Sequence, residues 1–370
     1  MVILSGSVSN YIFIGNRKYS YFGGNNYLGL ANHPSLLENA INSIRKYGIN
    51  FSASRQTTGT SELHLELENL LSEFKNKSGS VVYASGYMGN RILLNVLKDR
   101  YSAVFMDGSA HPSIHDAIPA GMTNVFSYDH CNPGHLEILL KEHKRFKPLI
   151  ITDGIFALTG EIAPLDEIFQ LAGKYNAILV TDDSHATGVL GKNGRGTPEH
   201  FNIDGSPNIY QSETLSKALG AYGGFISADS DLIASIRDKS GIYQASTSLP
   251  PPIAAAACSA VTIVMQQPEL RTILNENIKV ISEAVRNLDF LTYSRSTPII
   301  SVLFGSRANA EDLSEFLKTN NIIVPHITYP VKTNKFIVRI TVSACHSKEQ
   351  MQELIDCLIK WRKNHGSDKD

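Results

Sequence analysis

Between residue 34 and about residue 230 the chain repeatedly places a short, nearly all-apolar run after a helix-length segment, and this alternation limits what it can fold into. The runs are Ser80–Tyr83, Ala103–Met106, Leu149–Thr152 and Ile178–Thr181. None shows the polar/apolar alternation of a half-solvated strand, so both faces must be covered. That is the pattern of a parallel or mostly parallel sheet layered between helices. The intervening segments have helical spacing. Pro34 to Tyr47 opens with proline at a first-turn position and sets Leu37, Ala40, Ile41 and Ile44 on one face, and Ser61 to Phe74 does the same with Leu63, Leu67, Leu70, Leu71 and Phe74. After about residue 265 the pattern restarts with a strand at Pro298–Phe304, a helix at Ala310–Asn320, a strand at Phe336–Ser343 and a last helix from Ser347 to about Trp361. The expected organisation is an N-terminal segment (1–35), a large α/β domain (36–260) and a smaller C-terminal α/β domain (261–370), with Lys363 to Asp370 as a frayed tail.

Composition removes several function classes. A net charge of -1 over 370 residues provides no field to hold nucleic acid or an anionic membrane. The most apolar stretch, Ile253 to Met265, follows three prolines and is too short to span a bilayer, so it reads as a buried helix. Cys131, Cys258, Cys345 and Cys357 are scattered, with no Cys-x-x-Cys pair and no secretory leader, so reduced thiols and a cytoplasmic location are expected.

Ligands of such folds bind at the carboxyl ends of the strands, and the chemistry-bearing residues cluster there in the sequence. The run ending at Thr181 passes directly into Asp182-Asp183-Ser184-His185-Ala186-Thr187-Gly188. Lys217 sits in a hydroxyl-rich turn, Gln211 to Gly224, that leads into Phe225-Ile226. Alone, a Ser-Lys-Ala near glycines is a loop, and Asp-Asp-Ser-His is a metal site or a solvated turn. Together, an amine, a carboxylate and an imidazole at strand ends point to pyridoxal 5′-phosphate (PLP). A lysine forms a Schiff base with an aldehyde, and an acid beside a pyridine nitrogen keeps it protonated and electron-accepting. Ser85-Gly86-Tyr87 follows another strand and offers backbone amides to a phosphate, with Thr214 and Ser216 as further donors; His111 lies one turn beyond the run Val104 to Met106.

These strings resemble those of the α-oxoamine synthases, PLP-dependent acyltransferases with the fold type I (aspartate aminotransferase-like) architecture. The resemblance runs from Phe22 to about Leu358. It is carried by Asn25-Asn26-Tyr27-Leu28-Gly29-Leu30 with His33-Pro34, by Gly59-Thr60 with His64 and Leu67-Glu68, by Asp107 to Ser113, by Asp182 to Gly188 with Gly194-Arg195-Gly196, and by Thr214 to Gly224. It implies a large mostly parallel sheet of the seven-stranded type and a homodimer with shared active sites. Lys217 would be the Schiff-base lysine and the proton-transfer base, Asp182 the partner of the pyridine nitrogen, His185 that of the phenolic oxygen, and His111 the ring that stacks on the cofactor. Ser85, Gly86, Tyr87, Thr214 and Ser216 would hold the phosphate, with Thr247 and Ser248 reaching that of the neighbouring subunit. Asn25 and Arg339 would bind the substrate carboxylate, a task suited to a planar guanidinium.

The implied reaction joins an amino acid to an acyl thioester, acyl-CoA or acyl carrier, with loss of carbon dioxide. By analogy of length, the expected member is of the 8-amino-7-oxononanoate synthase type, which uses L-alanine and a pimeloyl thioester in biotin synthesis. A 2-amino-3-ketobutyrate CoA ligase and a serine palmitoyltransferase-like synthase stay open, as do an aminotransferase on the same fold and a non-catalytic PLP-binding relative. Two departures concern the surroundings of the site. Ala157 stands where relatives commonly carry a serine, and roughly 20 residues precede the Asn-Asn-Tyr string, implying that an amino-terminal helix with an acyl-binding arginine is missing.

Overall fold

The structure, a computed structural model, describes residues 3–294, 296–327 and 335–365. They form two compact units, one built from His33–Phe156 and Ile162–Gln267, the other from the N-terminal residues to Asn32, Ala157–Glu161 and the residues from Pro268 onward.

The smaller unit opens with strands β1 (Tyr11–Ile14) and β2 (Arg17–Tyr21). The larger unit holds β3 (Gly79–Tyr83), β4 (Ala103–Asp107), β5 (Val125–Tyr128), β6 (Pro148–Asp153), β7 (Ile178–Asp182), β8 (Ile209–Thr214) and β9 (Gly224–Ala228) in one seven-stranded sheet of order β3-β9-β8-β7-β6-β4-β5. β5, β4, β6, β7 and β8 run parallel, while β9 and β3 join antiparallel at one side. Successive residues of a strand point to opposite faces, and the buried clusters follow that rule. Leu149, Ile151, Ile178 and Val180 enter one apolar layer, and Ile150 and Leu179 enter the other. Each such side chain contributes about 1.5–3 kcal/mol on full burial, so the apolar runs hold the layers together.

Gln211 to Thr214 is not part of a turn but the end of β8, buried throughout. Its polar side chains are tolerated inside because they have partners. Gln211 Nε2 donates to Asp183 Oδ2 (2.6 Å), and Glu213 Oε1 accepts from Thr187 Oγ1 (2.7 Å) and pairs with Lys75 Nζ (2.5 Å). Lys75 also donates to the Arg195 carbonyl. A second buried acid, Glu68, takes both guanidinium nitrogens of Arg55 (2.9 and 3.2 Å), Arg237 Nη2 (3.2 Å) and the Val82 N–H (3.2 Å).

The helix Pro34–Tyr47 is capped by His33, whose Nδ1 accepts from Ser35 N, and packs on the helix Pro251–Gln266, most of which is buried as expected. Its apolar stripe does not face into the protomer: Leu37, Ile41 and Ile44 are 48, 49 and 41% exposed. The helix Glu62–Lys75 buries the expected Leu67, Leu71 and Phe74.

In the smaller unit β2 pairs antiparallel with β1 and parallel with β11 (Ile322–Ile323). A second sheet pairs β10 (Ile299–Phe304) antiparallel with β13 (Phe336–Thr341), which also takes β12 (His326–Ile327). The last helix, Lys348–His365, carries Lys363 beyond the expected tail boundary, anchored by buried Trp361, whose Nε1 donates to Asp312 (2.6 Å); residues 366–370 lie outside the described ones. No helix among the described residues is long and apolar enough to cross a membrane.

The Lys75–Glu213 pair gives a pH-dependent prediction. Burial pushes the Glu213 carboxyl up to about 7, against the pull of Lys75. A raised acid favours the fold at low pH, and that contribution fades as pH rises from its ordinary 4.5 through about 7. Lys75→Met should therefore cost about 3–5 kcal/mol at pH 8, where it strands a buried carboxylate, and clearly less at pH 5, where Glu213 is protonated. Urea-unfolding midpoints at the two pH values measure the difference.

Candidate active site

The parallel strands deliver their terminal polar residues to one edge of the sheet: Asp107 from β4, Asp153 from β6, Asp182 from β7 and Thr214 from β8. Asp153 and Asp182 are direct register partners. Buried like charges so placed must be separated in protonation or covered by donors. Asp182 accepts from Asn90 Nδ2 (2.7 Å), Ser184 N (3.1 Å) and Ser113 Oγ (3.3 Å). The Asp153 carboxyl is held well above the usual carboxylate range by burial and by the Asp182 charge, and it accepts the His111 N–H at 2.9 Å.

His111 caps the short helix Pro112–His115. Ser113 N donates to its Nδ1 (3.2 Å), which leaves the ring proton on Nε2, and Ser113 Oγ lies 2.8 Å from the same nitrogen. Burial lowers its basicity, with Lys217 and His115 acting in the same direction and Asp182 opposing, so the imidazole stays neutral at neutral pH. The edge-on approach of Tyr87, 6.1 Å between centroids, holds the ring further. Lys217 thus shares one electrostatic environment with His111, Asp153 and Asp182.

The lysine loop is closed by its hydroxyls. Thr214 Oγ1 donates to the Gly223 carbonyl (3.0 Å) and accepts from Ser216 N (3.1 Å), while Ser216 Oγ accepts from Gly223 N (3.2 Å). Gly223 has φ +115°, a conformation glycine adopts at no steric cost. Between these ties Lys217 is presented by a fixed turn. At the neighbouring tip Ser85 caps the turn Gly86–Met88, its Oγ accepting from Tyr87 N (3.4 Å). A Cβ on Gly86 would lie 2.8 Å from both Cβ and Oγ1 of Thr214. The two tips therefore approach as closely as backbone allows.

The remaining expected residues are placed as follows. His185 is buried in the turn that follows β7. Thr247 is exposed and Ser248 buried on an extended segment that pairs with Ser54 and Ala53, the Ser248 N–H donating to Ala53 O (3.0 Å). In the smaller unit Arg339 Nη2 donates to Asn25 Oδ1 (2.6 Å), and Arg339 Nε is a buried donor with no hydrogen-bond partner among the described residues. Asn90, Ser113 and Asp153, which hold the cluster together, are not among the residues expected from sequence. Asp153 was detectable as a carboxylate at the tip of an apolar run, whereas Asn90 and Ser113 carry no local signal.

A family model, aminotransferase class I and II, matches residues 18–358. The chain belongs to that family. It is 38% identical over 340 residues (91% of this chain, 86% of the relative) to an 8-amino-7-oxononanoate synthase of Thermoanaerobacter pseudethanolicus, and 34% identical over 354 residues (95% and 90%) to 8-amino-7-oxononanoate synthase 1 of Bacillus subtilis. The fold is type I: a serine palmitoyltransferase from S. paucimobilis superposes with TM-score 0.93 at 24% identity (98% of this chain, 92% of that one). The 8-amino-7-oxononanoate synthase of Francisella tularensis superposes with TM-score 0.80 at 26% identity (93% and 98%).

PLP is the cofactor of this aminotransferase class I and II chain, and the residues present fit it. The Gly86–Thr214 approach sets the backbone of the Gly86 turn, a ready donor surface for a phosphate, against the tip of β8, and Asp182 supplies a buried carboxylate already fixed by three donors. Gly86→Ala should push the two tips apart at an overpacking cost of about 1–3 kcal/mol. The expected result is PLP binding weaker by about tenfold or more, with a small change in Tm of the cofactor-free protein, read by equilibrium dialysis and calorimetry.

Proposed function

We propose that this protein is an 8-amino-7-oxononanoate synthase, a PLP-dependent acyltransferase that condenses L-alanine with a pimeloyl thioester and releases carbon dioxide. The observation that carries the reading is 34–38% identity, over more than nine-tenths of the chain, to enzymes of that name, joined to a strand-end cluster with the required amine, acid and imidazoles.

The cofactor, when bound, supplies an electron sink for a negative charge at the substrate α-carbon. Lys217 would hold it through Nζ, and the lysine amine would take the substrate Cα proton and later return one. Asp182, oriented by Asn90 and Ser113, holds a proton on the ring nitrogen. Neutral His111 would lie against the ring, and His185 would donate to the phenolic oxygen. Ser85, Gly86, Tyr87, Thr214 and Ser216 hold the phosphate. The free Nε of Arg339 and its Asn25-bound Nη2 suit a bidentate grip on the substrate carboxylate. Ala157 contributes no hydroxyl, which leaves His185 to carry the phenolic oxygen.

The working form is a cytoplasmic homodimer with shared sites. The exposed stripe Leu37, Ile41 and Ile44, with Ile49 (66%) and Leu65 (50%) also exposed, supports this: a single protomer leaves it in water, and a second copy would cover it. Exposed Thr247, and Ser248 Oγ, which is buried and has no hydrogen-bond partner among the described residues, would then serve the neighbouring phosphate.

Thiol release from pimeloyl-CoA should require L-alanine, with glycine and serine at background. Glycine-dependent release from short acyl-CoA, or serine-dependent release from long acyl-CoA, would reassign the substrate, and conversion of the cofactor to its amine form without thiol release would make the enzyme an aminotransferase. Lys217→Ala should lose the visible absorbance of lysine-bound cofactor and lower thiol release by about 10³-fold or more. Ile41→Asp should shift the protein to monomer in light scattering and lower PLP retention with it.

A further inference from the structure

The segment that carries Thr247 and Ser248 is held by residues to which the reaction assigns no role. It follows the short helix Gly241–Ala245 and lies against a loop at residues 53–60. Ser54 and Thr247 form an antiparallel bridge, and the Ser248 N–H donates to Ala53 O (3.0 Å). The next carbonyl, that of Leu249, is taken by His64 Nε2 at 2.7 Å. His64 is buried in the first turn of the helix Glu62–Lys75, and its Nδ1 accepts the Ser61 N–H at 3.1 Å, so the ring proton sits on Nε2 and is donated to Leu249. We propose that His64 is a positioning residue for the cofactor site of the neighbouring subunit, fixing Thr247 and Ser248 through the Leu249 carbonyl while Arg55 holds the opposing loop, an inference that rests on reading those two hydroxyls as donors to that subunit's phosphate.

The loop and the helix behind it form one support. Arg55 gives both Nη atoms to buried Glu68 (2.9 and 3.2 Å) and its Nε to Thr60 Oγ1 (3.0 Å). Glu68 lies one turn beyond His64 on the same helix, so the loop and the donor to Leu249 move together. The loop itself closes tightly, with Thr57 N and Gly59 N both donating to Ser54 O (3.1 and 3.0 Å). A Cβ on Gly59 would stand 2.2 Å from Ala53 O and 2.7 Å from Ser54 O, so the closure needs glycine. Gln56 from the loop and Gln244 from the helix before the segment donate to one shared carbonyl, Arg237 O (2.9 and 2.8 Å), and Arg237 Nη2 reaches Glu68 (3.2 Å).

His64 suits this task because it carries no charge while performing it. Burial brings its pKa down to about 4, with the Arg55 guanidinium acting in the same direction and the bond to Leu249 opposing. At neutral pH the imidazole is a neutral donor, and its burial is tolerated because both nitrogens have partners. The backbone of the segment is thus fixed at three successive residues, by the bridge at 247, the N–H at 248 and the carbonyl at 249. The Ser248 hydroxyl is left without a hydrogen-bond partner among the described residues. Ordering a donor segment before its acceptor arrives removes the entropic cost of arranging it on binding.

The test uses the full-length dimer and reads PLP affinity from the visible absorbance of lysine-bound cofactor, with light scattering to confirm the dimer. His64→Leu should weaken PLP binding by about tenfold or more, and His64→Gln, whose amide can both accept from Ser61 and donate to Leu249, should recover most of it. A mixed dimer of one Lys217→Ala chain and one His64→Leu chain, isolated with two affinity tags, separates positioning across the interface from a local effect. Its lysine-bearing site belongs to the His64→Leu chain but receives Thr247 and Ser248 from the Lys217→Ala chain, so it should bind PLP with wild-type affinity. Weak binding there, or wild-type binding in the His64→Leu homodimer, overturns the proposal. Thr247→Val combined with Ser248→Ala checks the underlying reading. Unchanged PLP affinity in that double variant means that the segment serves no phosphate, and the positioning role falls with it; a weakened double variant beside an unaffected His64→Leu sinks the positioning role alone. If His64→Leu does not fold as a dimer, Arg55→Lys, which keeps the charge but loses the paired hydrogen bonds to Glu68, carries the same mixed-dimer comparison.

Discussion

A row of buried carboxylates at the carboxyl edge of a parallel sheet is the constraint from which the rest of the site follows. Asp107, Asp153 and Asp182 end β4, β6 and β7, which are neighbours in the sheet. Adjacent strands lie about 4.8 Å apart, and at that separation two charges near a protein surface repel by about 3 kcal/mol. The structure resolves the conflict differently at each position. Asp153 is biased toward its neutral form, Asp182 is covered by Asn90, Ser113 and a backbone N–H, and Asp107 by two backbone N–H groups and His130. Each remedy positions another group. The His111 N–H is drawn to Asp153, and Ser113 joins the His111 ring to Asp182.

Strand alternation gives the adjacent pair Asp182-Asp183 two separate tasks. Asp182 meets Asn90 and Ser113, whereas Asp183 Oδ2 takes the Thr197 N–H (2.8 Å) and Gln211 Nε2 (2.6 Å) on the other side of the strand. The second set continues through Glu213 and Lys75, so the helix Glu62–Lys75 is bound to the strand from which the Lys217 loop emerges. Buried ion pairs of this kind add little net stability relative to apolar packing but punish every half-made alternative. Here they hold Thr214 and its successors in place.

Much of the large sheet was legible because four strands are uninterrupted apolar runs, and covering both faces of such runs leaves few architectures. β8 was not, since Gln211-Ser212-Glu213-Thr214 has the composition of a turn and becomes a strand only through partners on Lys75, Thr187 and Asp183. The helix Pro34–Tyr47 shows the same limit from the other side: its apolar periodicity was clear, yet nothing in the spacing says that Leu37, Ile41 and Ile44 point out of the protomer. Within the site, Lys217, Asp182, His185 and His111 stand out by residue type at strand ends. Asn90 and Ser113 do not, because an amide in a helix and a serine after a proline have no distinguishing local chemistry.

The order of residues alone therefore determined the layered α/β class, the strand tips that carry chemistry and the kind of cofactor, because periodicity and reactive side-chain type are local properties. Tertiary structure decided which tips are neighbours, how three nearby acids avoid mutual repulsion, which tautomer His111 adopts, and that His64 reaches the Leu249 carbonyl. Those outcomes depend on register and burial, and both arise only when segments distant in the chain are brought within hydrogen-bonding distance.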